Sequence, residues 1–257
     1  MKKIFFFLFA FVFAYSCTPQ EAPNTFKDNR DGRVYKTVTI GSQTWMAENL
    51  AYLPAVSRPT SGSETEPLYY VYGYEGTDVA AAKSHENYKK YGALYNWPAA
   101  MAEAASSIAN PSGVQGICPE GWHLPSDAEW TQLETYLANN GYNYTGSIDP
   151  VSGDDVRLNI AKSIANANGW NVSSVEGASG NSDYPEYKNK SGFSALPGGC
   201  RTFMSAFSYI GSGTYWWSTS LSEGGNGYYR ALFTGSANVS MSMSFKANGH
   251  SVRCVKN

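Results

Sequence analysis

Cys118, His123, Asp127 and Glu129 fall within a dozen residues, a density of thiol, imidazole and carboxylate that could serve a metal, a nucleophile or acid–base chemistry. Their surroundings argue for a structural task instead. Ser126 followed three residues later by Glu129 is a capping box, in which each side chain satisfies a backbone N–H left open by the first helical turn. Trp130, Leu133 and Leu137 then recur at helical spacing. Asp127 and Glu129 therefore read as capping acids, and His123 as a half-buried hydrogen-bonding residue.

The other chemistry-bearing residues assemble no recognisable centre. His85, His123 and His250 lack metal-ligand spacing, and His250 and Ser251 would point to opposite faces of a strand. No Gly-Xaa-Ser-Xaa-Gly elbow and no phosphate-binding loop occurs. Asp149, Asp154, Asp155, Asp183 and Glu186 could collect an oxygen-ligated Ca²⁺, but their spacing fits solvated loop acids better. The expectation is no enzyme and no cofactor. Trp217, Tyr228 and Arg230 are the candidate ligand-binding residues: an exposed aromatic beside Arg230 would stack a sugar ring and bond its hydroxyls.

The elements that must position these residues can be read coarsely. Strands over 33–40 and 44–47 flank Gly41-Ser42-Gln43, a hairpin signal with Gly41 free to take positive φ. A strand over 68–74 and an Ala-rich helix ending near 105 follow. After the capped helix a second is expected over 154–167, with Val156, Ile160 and Ile164 on one stripe. Strands are expected over 193–196, 215–220, 228–233 and 239–245. In the last, Val239, Met241, Met243 and Phe245 alternate with serines, which predicts a buried apolar face and a solvated Ser face. Helices followed by hairpin-linked strands make an α+β pattern.

The net charge of −2 and the lack of any basic run speak against a nucleic-acid partner. Aromatics at 15% nearly match charged residues at 16%, an aromatic-packed, loop-rich balance. Met1-Lys2-Lys3 precedes an apolar run over 4–15 that is too short to span a bilayer and reads as a signal-peptide core. The run ends at Ala14-Tyr15-Ser16-Cys17, which looks like a lipobox. The expected organisation is a signal peptide over 1–16, a lipid-anchored linker over 17–30 with the anchor on Cys17, and one domain over 31–257. Of the remaining cysteines, two should pair in an oxidising compartment. Cys118 with Cys254 is the expected bridge, leaving Cys200 as a small buried hydrophobe.

Several motifs occur in order: 39–50 (TIGSQTWMAENL), 91–97 (YGALYNW), 118–125 (CPEGWHLP) with Glu129-Trp130, 191–199 (SGFSALPGG), 215–220 (YWWSTS) and 251–255 (SVRCV). Together they resemble the Fibrobacter succinogenes major paralogous domain. The resemblance implies an exported, often lipid-anchored protein with a C-type-lectin-like fold, distantly similar to formylglycine-generating enzymes, with two or three helices packed on a loop-rich, mainly antiparallel sheet. The Glu-Pro-Asn and Trp-Asn-Asp signatures of Ca²⁺-dependent lectins are missing, as is the second cysteine that formylglycine-generating chemistry would need near Cys200. The expected function is a non-catalytic outer-membrane lipoprotein, on the periplasmic or cell-surface side, that binds a glycan or a surface protein and meets the membrane only through its lipid. The alternatives are an enzyme acting on envelope or dietary polysaccharide, or a fimbrial or surface-layer subunit.

Overall fold

The computed structural model describes residues 24–147 and 150–257. The expected signal peptide and the Cys17 anchor lie outside the described residues, as does Asp149. The architecture is α+β, with two five-stranded, mainly antiparallel sheets.

The first sheet is built from both ends of the described chain. β1 (Thr25–Lys27), β2 (Val34–Ile40) and β3 (Gln43–Met46) are followed across the sheet by β12 (Val255–Lys256) and β6 (Trp122–His123). The β2–β3 hairpin forms as expected, with Gly41 at φ 61° where a side chain on Cβ would strike the Tyr136 ring. The folded unit, however, starts earlier than residue 31. β1 pairs with β2, Phe26 packs 5.2 Å from Trp122, and Arg30 donates to the Ile117 carbonyl while pairing with Asp28. Residues 25–30 therefore belong to the domain rather than to a tether.

The second sheet runs β11 (Ser240–Ser244), β10 (Gly227–Phe233), β9 (Gly213–Leu221), β7 (Gly198–Arg201), β8 (Phe207–Ile210), with β7 and β9 parallel. The strand expected over 193–196 is absent; the extended segment begins at Gly198. A two-stranded ribbon, β4 (Tyr69–Tyr70) with β5 (Leu94–Tyr95), completes the strands.

Helices are short. α1 (Val79–Ser84), α2 (Glu86–Tyr91), α3 (Trp97–Met101) and α5 (Ala161–Ile164) are one or two turns each, and only α4 (Asp127–Asn139) is long. The count exceeds the two or three helices expected because single turns carry weak periodicity. The capping box on α4 is present in full. The helix expected over 154–167 is instead a 3-10 turn (Gly153–Arg157) and α5, broken where Asn159 takes φ 63°. Val156, Ile160 and Ile164 are nevertheless buried. Apolar burial was right where continuous helix was not.

Two cores flank the first sheet. One gathers Trp45, Trp130, Phe193 and Trp216 between α4 and β9. The other gathers Tyr35, Leu50, Tyr95, Trp97 and Trp217 around the Cys118–Cys254 bridge, which forms as expected across 136 residues.

Candidate functional site

Trp217, Tyr228 and Arg230 do not make a ligand platform. Trp217 is fully buried, its Nε1 donating to the Tyr95 carbonyl at 2.8 Å and its ring 4.3 Å from His250. Arg230 is fully buried against α4, its Nε 2.7 Å from Glu134 Oε1 and its Nη1 on Asp127 Oδ1. Only Tyr228 is partly exposed. The expectation fails because β9 is covered on both faces: Trp216 packs on Trp130 from one side, while Trp217 packs on His250 from the other. Alternation then no longer separates core from surface. Glu134, which sequence reasoning did not single out, supplies a buried countercharge.

The expected faces of β11 are also reversed at its end. Met243 and Phe245 are exposed and Ser244 is buried, because the Ser244 hydroxyl meets His250 Nε2 at 3.1 Å. Phe245 rests on Phe203 at 5.0 Å. Burial without a charged partner pulls the His250 pKa down to about 3. Cys200 is buried and free, and burial raises its thiol to about 12, which agrees with an inert role.

Asp183 is engaged by the buried Lys162, and Asp154 pairs with Arg157 at 2.6 Å. Among the described residues no three His, Cys, Asp or Glu side chains converge to hold a metal.

One open pocket of about 540 Å³ does bring together residues that the sequence scatters. The β6–β12 pairing sets His123 opposite Val255 and places Asn257 beside it. The imidazole is held at both ends: Nδ1 meets Asn257 Oδ1 at 2.7 Å and Nε2 meets Glu129 Oε1 at 2.6 Å. Burial works against its protonation, but the bonds to Glu129 and Asn257 win and hold its pKa above the usual histidine value. The other Glu129 oxygen accepts the backbone N–H groups of Ser112 and Ser126, each at 3.0 Å. Glu129 is thus a cap and a histidine partner at once, one task per oxygen. His123 and Glu129 together form one hydrogen-bonded wall of the pocket.

Beside Trp122, Pro111, Val255 and Lys256, the rest of that pocket carries carboxamides and one hydroxyl. Asn110 donates to Gln132 Oε1 at 2.6 Å, and Gln132 Nε2 donates to Ser42 Oγ at 2.9 Å, a chain of neutral groups that line the same pocket. Gln115 and Asn257 line it as well. Asn110 precedes a cis proline at Pro111. Such a surface offers both donors and acceptors without net charge, except for Lys256. No spacing rule links positions 42, 110, 132 and 257, so only the fold reveals the cluster.

A family model described as the Fibrobacter succinogenes major domain matches residues 38–256. No curated protein and no solved structure matches the chain.

Proposed function

The chain belongs to the Fibrobacter succinogenes major domain family, and from that premise we propose that it is a lipid-anchored surface protein whose non-catalytic, lectin-like domain binds a neutral saccharide in the pocket lined by Ser42, Asn110, Gln132 and Asn257. The Asn110–Gln132–Ser42 chain carries the reading. Carboxamides and hydroxyls with paired donor and acceptor capacity match vicinal sugar hydroxyls, which can replace the internal bonds one for one. The His123–Glu129 wall, held by Asn257, Ser112 and Ser126, gives that pocket a preorganised polar side. Export and anchoring rest on the apolar leader and Cys17.

A glycan array probed with the detergent-solubilised chain tests the ligand. Retention on neutral glycans, reduced roughly thirtyfold by Asn110→Ala with Gln132→Ala, is the expected result, each lost sugar bond being worth about 1 kcal/mol. Silence across the array, with a protein captured instead, would sink the saccharide reading. Palmitate labelling abolished by Cys17→Ser tests the anchor separately.

A further inference from the structure

We infer that a second pocket, floored by Arg253 and rimmed by Arg33, Lys36, Lys89 and Lys90, binds an oxyanion, the carboxylate or phosphate of a small solute. It has a volume of about 250 Å³ and shares no lining residue with the carboxamide pocket, so the two readings stand or fall apart. Against those cations it presents Glu48 as its only carboxylate, in a chain whose net charge is −2. Lys89 is partly offset by Glu86 at 2.8 Å outside the lining. Lys36 and Lys90 take part in no ion pair among the described residues and are exposed. Like charges held around a cavity repel one another, and an anion placed among them converts that repulsion into attraction.

Arg253 supplies the independent observation. It is 1% exposed and no ion pair of the described residues includes it. Its recorded acceptors are the carbonyls of Phe193 and Met46 and the Oδ1 of Asn49. That one amide oxygen receives Trp216 Nε1 at 2.9 Å, Arg253 Nη2 at 3.2 Å and Arg253 Nε at 3.4 Å, three donors on an atom with two lone pairs. Every guanidinium nitrogen has a neutral acceptor and its face stacks on the Phe193 ring at 4.2 Å, but two of the bonds are long at 3.4 Å and one Nη2 hydrogen has no acceptor among the described residues. Arg201 shows that this fold can satisfy a buried arginine with neutral acceptors at close range: the Pro59, Ser61 and Ala247 carbonyls accept from it at 2.6–2.9 Å, with Ser205 Oγ at 3.4 Å. Arg253 has not been given the same treatment, and it lines the cavity. A planar fork with unspent N–H capacity, set among cations, is the arrangement that recognises carboxylate and phosphate oxygens. The volume lies below the usual range for drug-sized ligands, which favours one anionic group on a small body over a polymer.

The test is titration of the full chain in detergent, by calorimetry at low salt, with sodium glucuronate, inorganic phosphate and, as the uncharged comparison, glucose. Saturable binding of at least one anion is expected, and which one binds identifies the source of the oxyanion. Lys36→Gln combined with Lys90→Gln, both at exposed positions, should weaken it roughly tenfold, with the melting temperature unchanged. Glu48→Gln should tighten it severalfold, an effect that a purely structural role would not produce. Raising salt tenfold should weaken binding in the wild type and less so in the double variant. Absence of saturable binding by both anions, or double-variant binding equal to wild type, would overturn the proposal.

Discussion

Arg230, on β10, and Arg253, two residues before β12, are both buried arginines late in the chain, and the fold treats them in opposite ways. Arg230 sits between β10 and α4 with two carboxylates, Glu134 and Asp127, and with Thr131 Oγ1 at 3.1 Å. Its charge is neutralised on the spot, and the site is closed. Arg253 has only neutral acceptors and a cavity beside it. Noncovalent charge locks the first region. The second is fixed next door by a covalent bridge, since Cys254 follows Arg253 directly and ties it to Cys118. A buried cation with matched anions reads as architecture; one with neutral acceptors only, beside a cavity rimmed by other cations, reads as a place for an anion.

The covalent half of the comparison should give the largest effect. Cys118→Ala with Cys254→Ala opens a loop of 136 residues, and in the chain-entropy model that costs on the order of 4–5 kcal/mol. Urea unfolding should show the midpoint falling accordingly. A change below about 1 kcal/mol would mean that hydrogen bonds alone fix the Arg253 region.

The charged half comes next. Arg230→Met leaves the fully buried Glu134 without its main partner and should cost about 3–5 kcal/mol. Burial already pushes the Glu134 carboxyl upward against the pull of Arg230, so removing the arginine leaves it to desolvation. Adding Glu134→Leu should recover part of the loss, because a pair of well-packed apolar residues leaves no stranded charge. If the double variant is no better than the single one, Arg230 contributes packing rather than charge.

How much of this was legible beforehand depends on the range over which each feature is encoded. The capping box of α4 and the Gly41 hairpin are set by residues three or four apart, and both formed as read. The Cys118–Cys254 pairing was legible because few thiols compete for it. The ligand residues were misread at Trp217 and Arg230 because period-2 alternation assumes that one face meets water, whereas β9 carries α4 on one side and the His250 cluster on the other. Ser244 was read as solvent-facing because its partner, His250, lies beyond the strand. Neither pocket was legible at all. Ser42 and Asn110 meet through Gln132, and Lys36 meets Lys90 and Arg253, only after the first sheet has closed the two ends of the chain together.

The two buried histidines extend the comparison to pH. The His250 pKa is lowered to about 3 from 6.5, so the unfolded chain binds the extra proton between those values. Its contribution is present above pH 6.5 and is lost as pH falls, by about 2 kcal/mol at pH 5. His123 has the opposite sign: its pKa is raised, so its contribution is present below 6.5 and is lost as pH rises through the folded value. His250→Gln should flatten the acid limb of a stability–pH curve while leaving the limb above pH 6.5 in place. An acid limb unchanged by the substitution would show that carboxylates alone set it.

The smallest effect is the one that decides what Arg253 is for. Arg253→Met removes a cation that forms no ion pair among the described residues, and Asn49 Oδ1 keeps its best donor, Trp216 Nε1 at 2.9 Å. What is left short is chiefly the Phe193 carbonyl, a loss worth about 1–2 kcal/mol. Burial draws the guanidinium down to about 9, with the Glu48 carboxylate pulling the other way. Urea unfolding of the two Arg→Met variants side by side should therefore separate them by roughly 2 kcal/mol or more, with Arg253→Met the milder. Equal losses would make Arg253 a core strut like Arg230. A clear gap would mean that the chain keeps a buried, unpaired charge for some reason other than its own stability, and an anion in the adjoining pocket supplies that reason.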